Sequence, residues 1–196
     1  MLFIEPRWKS YVVKTSQPVF TPQQCDELIA VGQKEPKIDS GIGGKDKANH
    51  HMRKSNISWI PFNTAKPMYT IIERLMLDTN VNHFGFDGMQ ITELAQYTEY
   101  SKGGFYDWHM DSGVVMSTMP MVRKISMTLL LTDPKDFEGG ELELFIGNKL
   151  DSKENKINIK QGEAVFFASF LLHRVAPVTK GNRKALVMWF GGTPLR

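Results

Sequence analysis

The first half of the chain contains two segments whose apolar residues recur at helical spacing. The first helix is predicted to begin after Thr21, with Pro22 at its first position and Gln24 where a capping box places Glu or Gln. Its apolar face is modest and consists of Cys25, Leu28, Ile29 and Gly32. The pattern predicts an amphipathic helix that buries one face.

The second helix is predicted over residues 64–78, with Asn63 as its N-cap. Its apolar face consists of Met68, Ile71, Ile72, Leu75 and Met76. Between the two helices, residues 38–54 are rich in glycine, lysine and histidine. That composition predicts a mobile basic loop.

After residue 85 the pattern changes to short apolar runs separated by turn residues. The runs cover residues 89–100, 124–131, 141–146, 156–159, 163–172 and 184–190. Six or more short strands with frequent turns are typical of a β-sandwich or barrel. With two helices before them, they predict an α+β fold in which the N-terminal helices pack on one sheet.

The length of 196 residues is typical of one domain. We therefore expect a single domain over 1–196, with residues 1–85 as a helical support that includes the basic loop and residues 86–196 as the β core. Apolar residues make up 41% of the chain and the net charge is only +3, which is ordinary for a soluble globular protein. This charge is too weak to favour a nucleic acid partner.

Cysteine usage and hydropathy predict a soluble, cytoplasmic protein. Cys25 is the single cysteine, so no disulfide can form within the chain, and a reducing compartment is the simplest interpretation. The first residues lack the apolar core of a signal peptide. The longest apolar stretch, residues 164–172, is much shorter than the roughly 20 residues that a membrane span needs.

His109 and Asp111 form the first candidate for chemistry. Residues two apart on a strand face the same side, so the two side chains could bind one metal ion. The pair alone fits an exposed strand end equally well.

His173 follows an apolar run and is by itself either a core histidine or a ligand. Two histidines and one carboxylate, with open positions on the metal, form the facial triad of non-haem Fe(II) oxygenases. The remaining histidines, His50, His51 and His83, lie in loop-like sequence and are predicted to be solvated.

Arg183 lies ten residues after His173, at the start of a predicted strand on which it shares a face with Ala185, Val187 and Trp189. If that face is interior, the buried guanidinium needs a partner, and its fork suits a carboxylate. The partner is either a protein Asp or Glu or the carboxylate of a bound diacid. Beside an iron triad, the diacid suggested is 2-oxoglutarate.

Three motifs together resemble a known family. They are Tyr100-x5-Tyr106-x2-His109-x-Asp111, Glu138-Gly139-Gly140-Glu141-Leu142, and the stretch from His173 to Arg183. Their spacing is similar to that of the Fe(II)/2-oxoglutarate dioxygenases of the prolyl 4-hydroxylase type, most closely the small bacterial and viral PKHD-type hydroxylases. The resemblance spans about residues 89–189, and Arg53-Lys54-Ser55 before Trp59 resembles the same group less specifically.

The resemblance implies a double-stranded β-helix (jelly-roll) core. It implies that His109, Asp111 and His173 bind Fe(II). It also implies that Arg183 pairs with the distal carboxylate of 2-oxoglutarate and that Tyr100 contacts this cosubstrate. Tyr106 corresponds to a tyrosine near the active site and is expected to contact the substrate. O2 is the second cosubstrate, and the resemblance allows ascorbate as a further cofactor.

One position departs from the collagen-type enzymes, which usually have Lys where Arg183 stands and often Ser or Thr two residues later, where this chain has Ala185. The departure fits the wider oxygenase family. The implied reaction is hydroxylation of an unactivated C–H bond with release of succinate and CO2.

The substrate implied first is a prolyl residue of a protein or peptide. A free amino acid or other small molecule comes second and a nucleobase third. A non-catalytic jelly-roll binding module is the alternative from another class.

Two segments are predicted to act as lids over this site. One is residues 41–51 and the other is residues 112–121, whose valines and methionines suggest that it closes on a ligand. The alternative for the second segment is an ordinary connecting loop. Arg123, at the base of the second segment, is expected to contact the substrate backbone.

Overall fold

The strands form two main antiparallel sheets and one small two-stranded sheet in the computed structural model, which describes residues 10–39, 51–112, 121–147, 149–150 and 152–193. Both predicted lid segments lie largely outside these described residues. The strands are β1 (Val12–Lys14), β2 (Ile38–Asp39), β3 (Arg53–Lys54), β4 (Asn56–Ile60), β5 (Gln90–Ile91), β6 (Ala95–Tyr100), β7 (Phe105–His109), β8 (Val122–Leu130), β9 (Phe137–Gly139), β10 (Leu142–Leu144), β11 (Lys156–Ile157), β12 (Ala164–Ala168), β13 (His173–Val175), β14 (Val178–Gly181) and β15 (Arg183–Gly192).

The major sheet has the order β1-β12-β8-β15-β6-β4-β2, with β5 added on β15, and the minor sheet has the order β11-β10-β13-β7-β3. The small sheet pairs β14 with β9.

All six predicted apolar runs contain a strand. The N-terminal segment is more than a helical layer, because it also contributes strands to both main sheets. Strands β1, β2 and β4 belong to the major sheet and β3 belongs to the minor sheet. These strands have two to five residues, too few to show a clear alternation in the sequence.

Helix α1 spans Pro22–Lys34, and its predicted N-terminus is confirmed. The Gln24 amide donates to Thr21 Oγ1 at 3.3 Å, while the Thr21 amide donates to Gln24 Oε1 at 2.9 Å. This reciprocal pair satisfies two amides that a helix start leaves without partners.

Among the residues that the structure describes, no helix has both the length and the hydrophobicity needed to cross a bilayer.

Helix α2 spans Lys66–Thr79 and continues into a π-helical turn, Asn80–Phe84. The prediction that Asn63 caps this helix is wrong, because the Thr64 amide donates to the Pro61 carbonyl in a preceding turn and the N-cap is Ala65. His83 is half-buried in the π-helical turn rather than solvated in a loop.

The buried face of α2 is rotated from the predicted one. Ile71 is 42% exposed. Tyr69 is buried instead, with its hydroxyl donating to the Ile60 carbonyl and accepting from the Ala95 amide, both at 2.6 Å. These two hydrogen bonds draw the Tyr69 edge of the helix toward the sheet, so that Ile71 faces solvent.

The strands of the major sheet have two different faces. On β15, Leu186, Met188 and Phe190 pack with apolar residues of α1 and α2 in the largest core cluster. On the opposite, interior face, β8 carries Ser126 and Thr128, and β15 carries Arg183. The helices therefore cover one face, as predicted, and the other face is free to form a site between the sheets.

We predict that Gly32→Ala destabilises the protein although Ala is the better helix former. A Cβ at residue 32 of α1 would overlap the ring of Tyr97, which is fully buried on β6. Ala30→Gly, at an exposed position of the same helix, should lower the free energy of unfolding by about 1 kcal/mol. This variant measures the difference in helix propensity between Ala and Gly without a change in packing. Thermal and denaturant unfolding measure both variants. A Gly32→Ala protein as stable as wild type or more stable would contradict the packing.

Candidate metal centre

His109, Asp111 and His173 converge in the interior, with one ligand atom from each lying within 4.8 Å of the others. His109 Nε2 is 3.6 Å from Asp111 Oδ1, and His173 Nε2 is 3.4 Å from Asp111 Oδ2. The two histidines face each other because β13 pairs with β7 and places them opposite one another. The arrangement offers two nitrogens and one oxygen to a single cation.

Each histidine ring is fixed by its own backbone two residues earlier. His109 Nδ1 lies 2.7 Å from the Asp107 carbonyl, and His173 Nδ1 lies 2.9 Å from the Leu171 carbonyl. Because a carbonyl oxygen only accepts, Nδ1 carries the proton in both rings. The lone pair of each Nε2 is therefore directed away from the backbone and available to a metal.

Asp111 is not on a strand, since β7 ends at His109. Its position depends on a neighbouring segment: the amides of Asp111 and Ser112 both donate to the Ser169 carbonyl at 3.0 Å. Its carboxylate accepts from Ser126 Oγ at 2.7 Å, and that hydroxyl lies 2.8 Å from Ser169 Oγ. The shared orientation of His109 and Asp111 thus comes from these contacts and not from strand alternation.

The protonation states of Asp111 and His109 favour binding of a cation. Burial would raise the pKa of Asp111, but the two histidine rings and the Ser126 hydroxyl outweigh burial and hold this pKa well below its usual range. Burial lowers the pKa of His109, against the opposing effect of Asp111. At neutral pH the carboxylate is charged and His109 is neutral, and both are the forms that bind metal.

The centre opens into a cavity of about 330 Å³. Of the residues singled out in the sequence, Tyr100, Tyr106 and Arg123 line it together with the three metal-binding candidates. Tyr106 stacks on His109, with ring centroids 3.5 Å apart and planes inclined by 15°. Burial raises the pKa of Tyr106, so its hydroxyl stays protonated.

Arg123 is held at the cavity by two contacts that the sequence did not reveal. Its Nε and Nη2 donate to the two carboxylate oxygens of Glu93 in a bidentate pair. Its guanidinium lies 4.0 Å from the ring centroid of Trp189, which also lines the cavity. The buried Trp189 Nε1 has no hydrogen-bond partner among the described residues.

Arg183 is buried, 2% exposed, on the interior face that its strand pattern predicted. It lies opposite Tyr100 across β15 and β6, with the guanidinium 5.7 Å from that ring. Arg183 does not line the cavity of the metal centre but borders a second one of about 340 Å³, while Leu142 lines both. Within the described part of the chain, no carboxylate lies within ion-pair distance of Arg183.

Several residues of this region were not predicted from the sequence pattern. Ser126 and Gln96 alternate with buried apolar residues on β8 and β6, and this alternation was the available signal, whereas Ser169 lies in the turn after β12. The Glu93–Arg123 pair had no signal, because 30 residues separate the partners. Among the other histidines, His51 is exposed as predicted, and His50 lies outside the described residues.

A family model of the 2OG-Fe(II) oxygenase superfamily matches residues 95–191. A PKHD-type hydroxylase of Colwellia psychrerythraea is 31% identical over 87% of this chain and 74% of its own length. A PKHD-type hydroxylase of Gloeothece citriformis is 40% identical over 91% of this chain and 77% of its own length. Several further PKHD-type hydroxylases match over only 39–41% of their own length.

The fold is similar to that of a solved viral collagen prolyl hydroxylase from Paramecium bursaria Chlorella virus-1. The TM-score is 0.71 at 20% identity, over 94% of this chain and 97% of the viral one. The likeness confirms the predicted double-stranded β-helix core with its helices on one sheet. From the superfamily match and the two long sequence matches, the chain belongs to the PKHD-type hydroxylases of the 2OG-Fe(II) oxygenase superfamily, whose enzymes use Fe(II), 2-oxoglutarate and O2.

Proposed function

We propose that this chain is one oxygenase domain that hydroxylates a prolyl residue of a protein or peptide, with His109, Asp111 and His173 as the Fe(II) ligands. The observation that carries the assignment is the convergence of three ligand atoms within 4.8 Å, with Asp111 and His109 already in their metal-binding protonation states. Two imidazole nitrogens and one carboxylate oxygen are the donor set of a non-haem Fe(II) triad. The residues therefore fit the ion that the family uses.

Arg183 and Tyr100 are the proposed anchors of 2-oxoglutarate. Arg183 is a buried cation, and a buried charge without a partner is costly. Tyr100 lies between Arg183 and the cavity of the metal centre, because Tyr100 is opposite Arg183 on the neighbouring strand and also lines that cavity. A dicarboxylate that reaches from the metal centre past Tyr100 would supply the missing counter-charge.

When bound, the iron and 2-oxoglutarate supply the oxidising chemistry that a C–H bond requires. The protein's own part is positioning. The carbonyls of Asp107 and Leu171 hold the two imidazoles, Ser126 holds the Asp111 carboxylate, and Tyr106 covers one face of His109. These contacts fix the orientation of the three ligands before the metal binds.

The prolyl substrate is supported by the shape and chemistry of the cavity and by the names of the structural neighbours. Tyr106, Trp59 and Trp189 line the cavity, and aromatic walls suit a compact apolar ring such as pyrrolidine. Arg123 is proposed to contact the substrate backbone, since Glu93 and Trp189 hold it at this cavity. Solved neighbours include a prolyl-4-hydroxylase of Pseudomonas putida.

A cytoplasmic location is part of the proposal, because a chain with a single buried cysteine needs no oxidising compartment and Fe(II) is stable in a reducing one. A requirement for ascorbate stays a prediction.

Asp111→Ala should abolish Fe(II) binding and lower iron-dependent succinate formation by more than about 100-fold, which exceeds the loss expected for a supporting contact. Metal content after dialysis and succinate release measure the two effects. Asp107→Asn is the matched control, because Asp107 lies two residues before His109 but is exposed and its carboxylate accepts from the amide of its own neighbour, Trp108. Retention of iron by Asp111→Ala would contradict the assignment.

Arg183→Gln should raise the KM for 2-oxoglutarate by about 30-fold or more, because removing one partner of a buried charged pair costs about 2 kcal/mol or more. Arg183→Lys should be milder, since it keeps the charge and loses the fork. Binding of 2-oxoglutarate to the Mn(II)-substituted protein gives an independent reading. Lys184→Gln, one residue along on the opposite face, is the control. An unchanged affinity in Arg183→Gln would place 2-oxoglutarate elsewhere.

Gly140→Ala should raise the KM for 2-oxoglutarate more than it lowers kcat. Gly140 has a φ of 68°, and a Cβ there would lie 3.0 Å from Arg183 Cδ and 2.8 Å from Val178 Cγ2, displacing the arginine stem. Gly88→Ala is the matched control, because it has a φ of 61° and nothing within 4 Å of its Cβ. Both variants carry similar backbone strain, so equal effects on 2-oxoglutarate binding would contradict a specific role for Gly140.

A further inference from the structure

Arg53 is a cavity residue whose charge the proposed reaction does not use. It lies on β3, the edge strand of the minor sheet, and lines the cavity of the metal centre. Its guanidinium carbon is 4.6 Å from the centroid of the Tyr106 ring, which itself stacks on His109. Within the described residues, no carboxylate lies within ion-pair distance of Arg53.

The Arg53 side chain is held in place by neutral groups. Its Nε donates to Ser55 Oγ and its Nη2 donates to Gln96 Oε1, both at 2.9 Å. Gln96 is buried, and Thr98 Oγ1 donates to the same amide oxygen at 3.1 Å. These contacts orient the guanidinium without neutralising it. Because Nη1 has no hydrogen-bond partner among the described residues, one edge of the fork stays available to a ligand.

Among the described residues that line the cavity, Arg53 is the charged group without a compensating partner. Arg123 is neutralised by its bidentate pair with Glu93. With Fe(II) and dianionic 2-oxoglutarate bound, the charges of the ion, Asp111, the dianion and Arg183 cancel. A substrate that carries one negative charge near the reacting carbon would therefore balance the cavity, whereas a neutral substrate would leave a fixed cation beside it.

We propose that Arg53 binds a carboxylate of the substrate, so that the enzyme selects a target residue next to an acidic side chain or next to a free C-terminus. The inference rests on the proposed prolyl hydroxylation and specifies its substrate class. A guanidinium whose orientation is already fixed loses little conformational entropy on binding and matches a planar carboxylate. Arg53 is thus a specificity-determining residue.

A purely structural role would have a different signature. Arg53 links β3 to β6 through Gln96, so its loss should lower stability whatever its role. That effect cannot distinguish two peptides of equal length that differ only in charge. The discriminating quantity is the ratio of kcat/KM between an acidic peptide and its neutral isostere.

The test uses short prolyl peptides in matched pairs. In the first set, the members of each pair differ by Glu or Gln at one position, and this position is varied over the two residues before and the two residues after the proline. In the second set, the peptide ends shortly after the proline, and the members of each pair differ by a C-terminal free acid or amide. Peptide-stimulated succinate release by the iron-loaded enzyme gives kcat/KM. Calorimetric titration of the metal-free protein with the same peptides gives an affinity that does not depend on turnover.

We expect the acidic member of at least one pair to be favoured about tenfold or more in both measurements, as for a charge-assisted hydrogen bond. Arg53→Gln should reduce that ratio to near one, and Arg53→Glu should favour a Lys peptide instead. Lys54→Gln is the matched control, because Lys54 is the next residue on β3 but is exposed and does not line the cavity. It should keep the wild-type preference.

Two results would overturn the inference: equal use of acidic and neutral peptides by the wild type, or an acidic preference that survives in Arg53→Gln. If no peptide stimulates succinate release although iron and 2-oxoglutarate bind, the prolyl proposal fails and this inference fails with it. That outcome differs from turnover without charge preference, which removes the role of Arg53 alone.

Discussion

The alternation of side chains along β6, β8 and β15 is the constraint on which the rest of the structure depends. Each of these strands must present an apolar face to the helices and, on its other face, carry the polar residues of the site toward the interior between the sheets. A shift of one residue in register would move Ser126 or Arg183 into the apolar layer under the helices. The helical layer therefore does more than add stability, because it fixes which face of the sheet becomes the site.

The interior face carries charge that the protein only partly compensates. Asp111 is surrounded by two histidine rings and the Ser126 hydroxyl, which keep it ionised although it is buried. Arg183 has no carboxylate partner within the described residues, and leaving a charge buried without a partner costs several kcal/mol. A cation at the first group and an anion at the second would relieve both costs. The same imbalance that destabilises the fold therefore favours binding of a cation at Asp111 and of an anion at Arg183.

Local signals predicted the elements that local physics controls. The capping box at Thr21 depends on atoms three residues apart, and the sequence was enough to place it. Asn63 carries the same kind of signal but lies within a turn that Pro61 begins, and Ile71 faces solvent because Tyr69 finds partners on two strands. Strands as short as β2 and β3 exist only because longer strands pair with them, so their own residues could not indicate them.

The sequence by itself determined which residue types are available for chemistry, because the spacing of His109, Asp111 and His173 and the strand phase of Arg183 follow from residue order alone. Only the tertiary structure decided how they meet. Asp111 owes its position to Ser169, a residue far away along the chain, and Arg123 is held by Glu93. Arg53 became part of the cavity because β3 pairs with β7. Such contacts depend on the three-dimensional path of the chain, which no local pattern encodes.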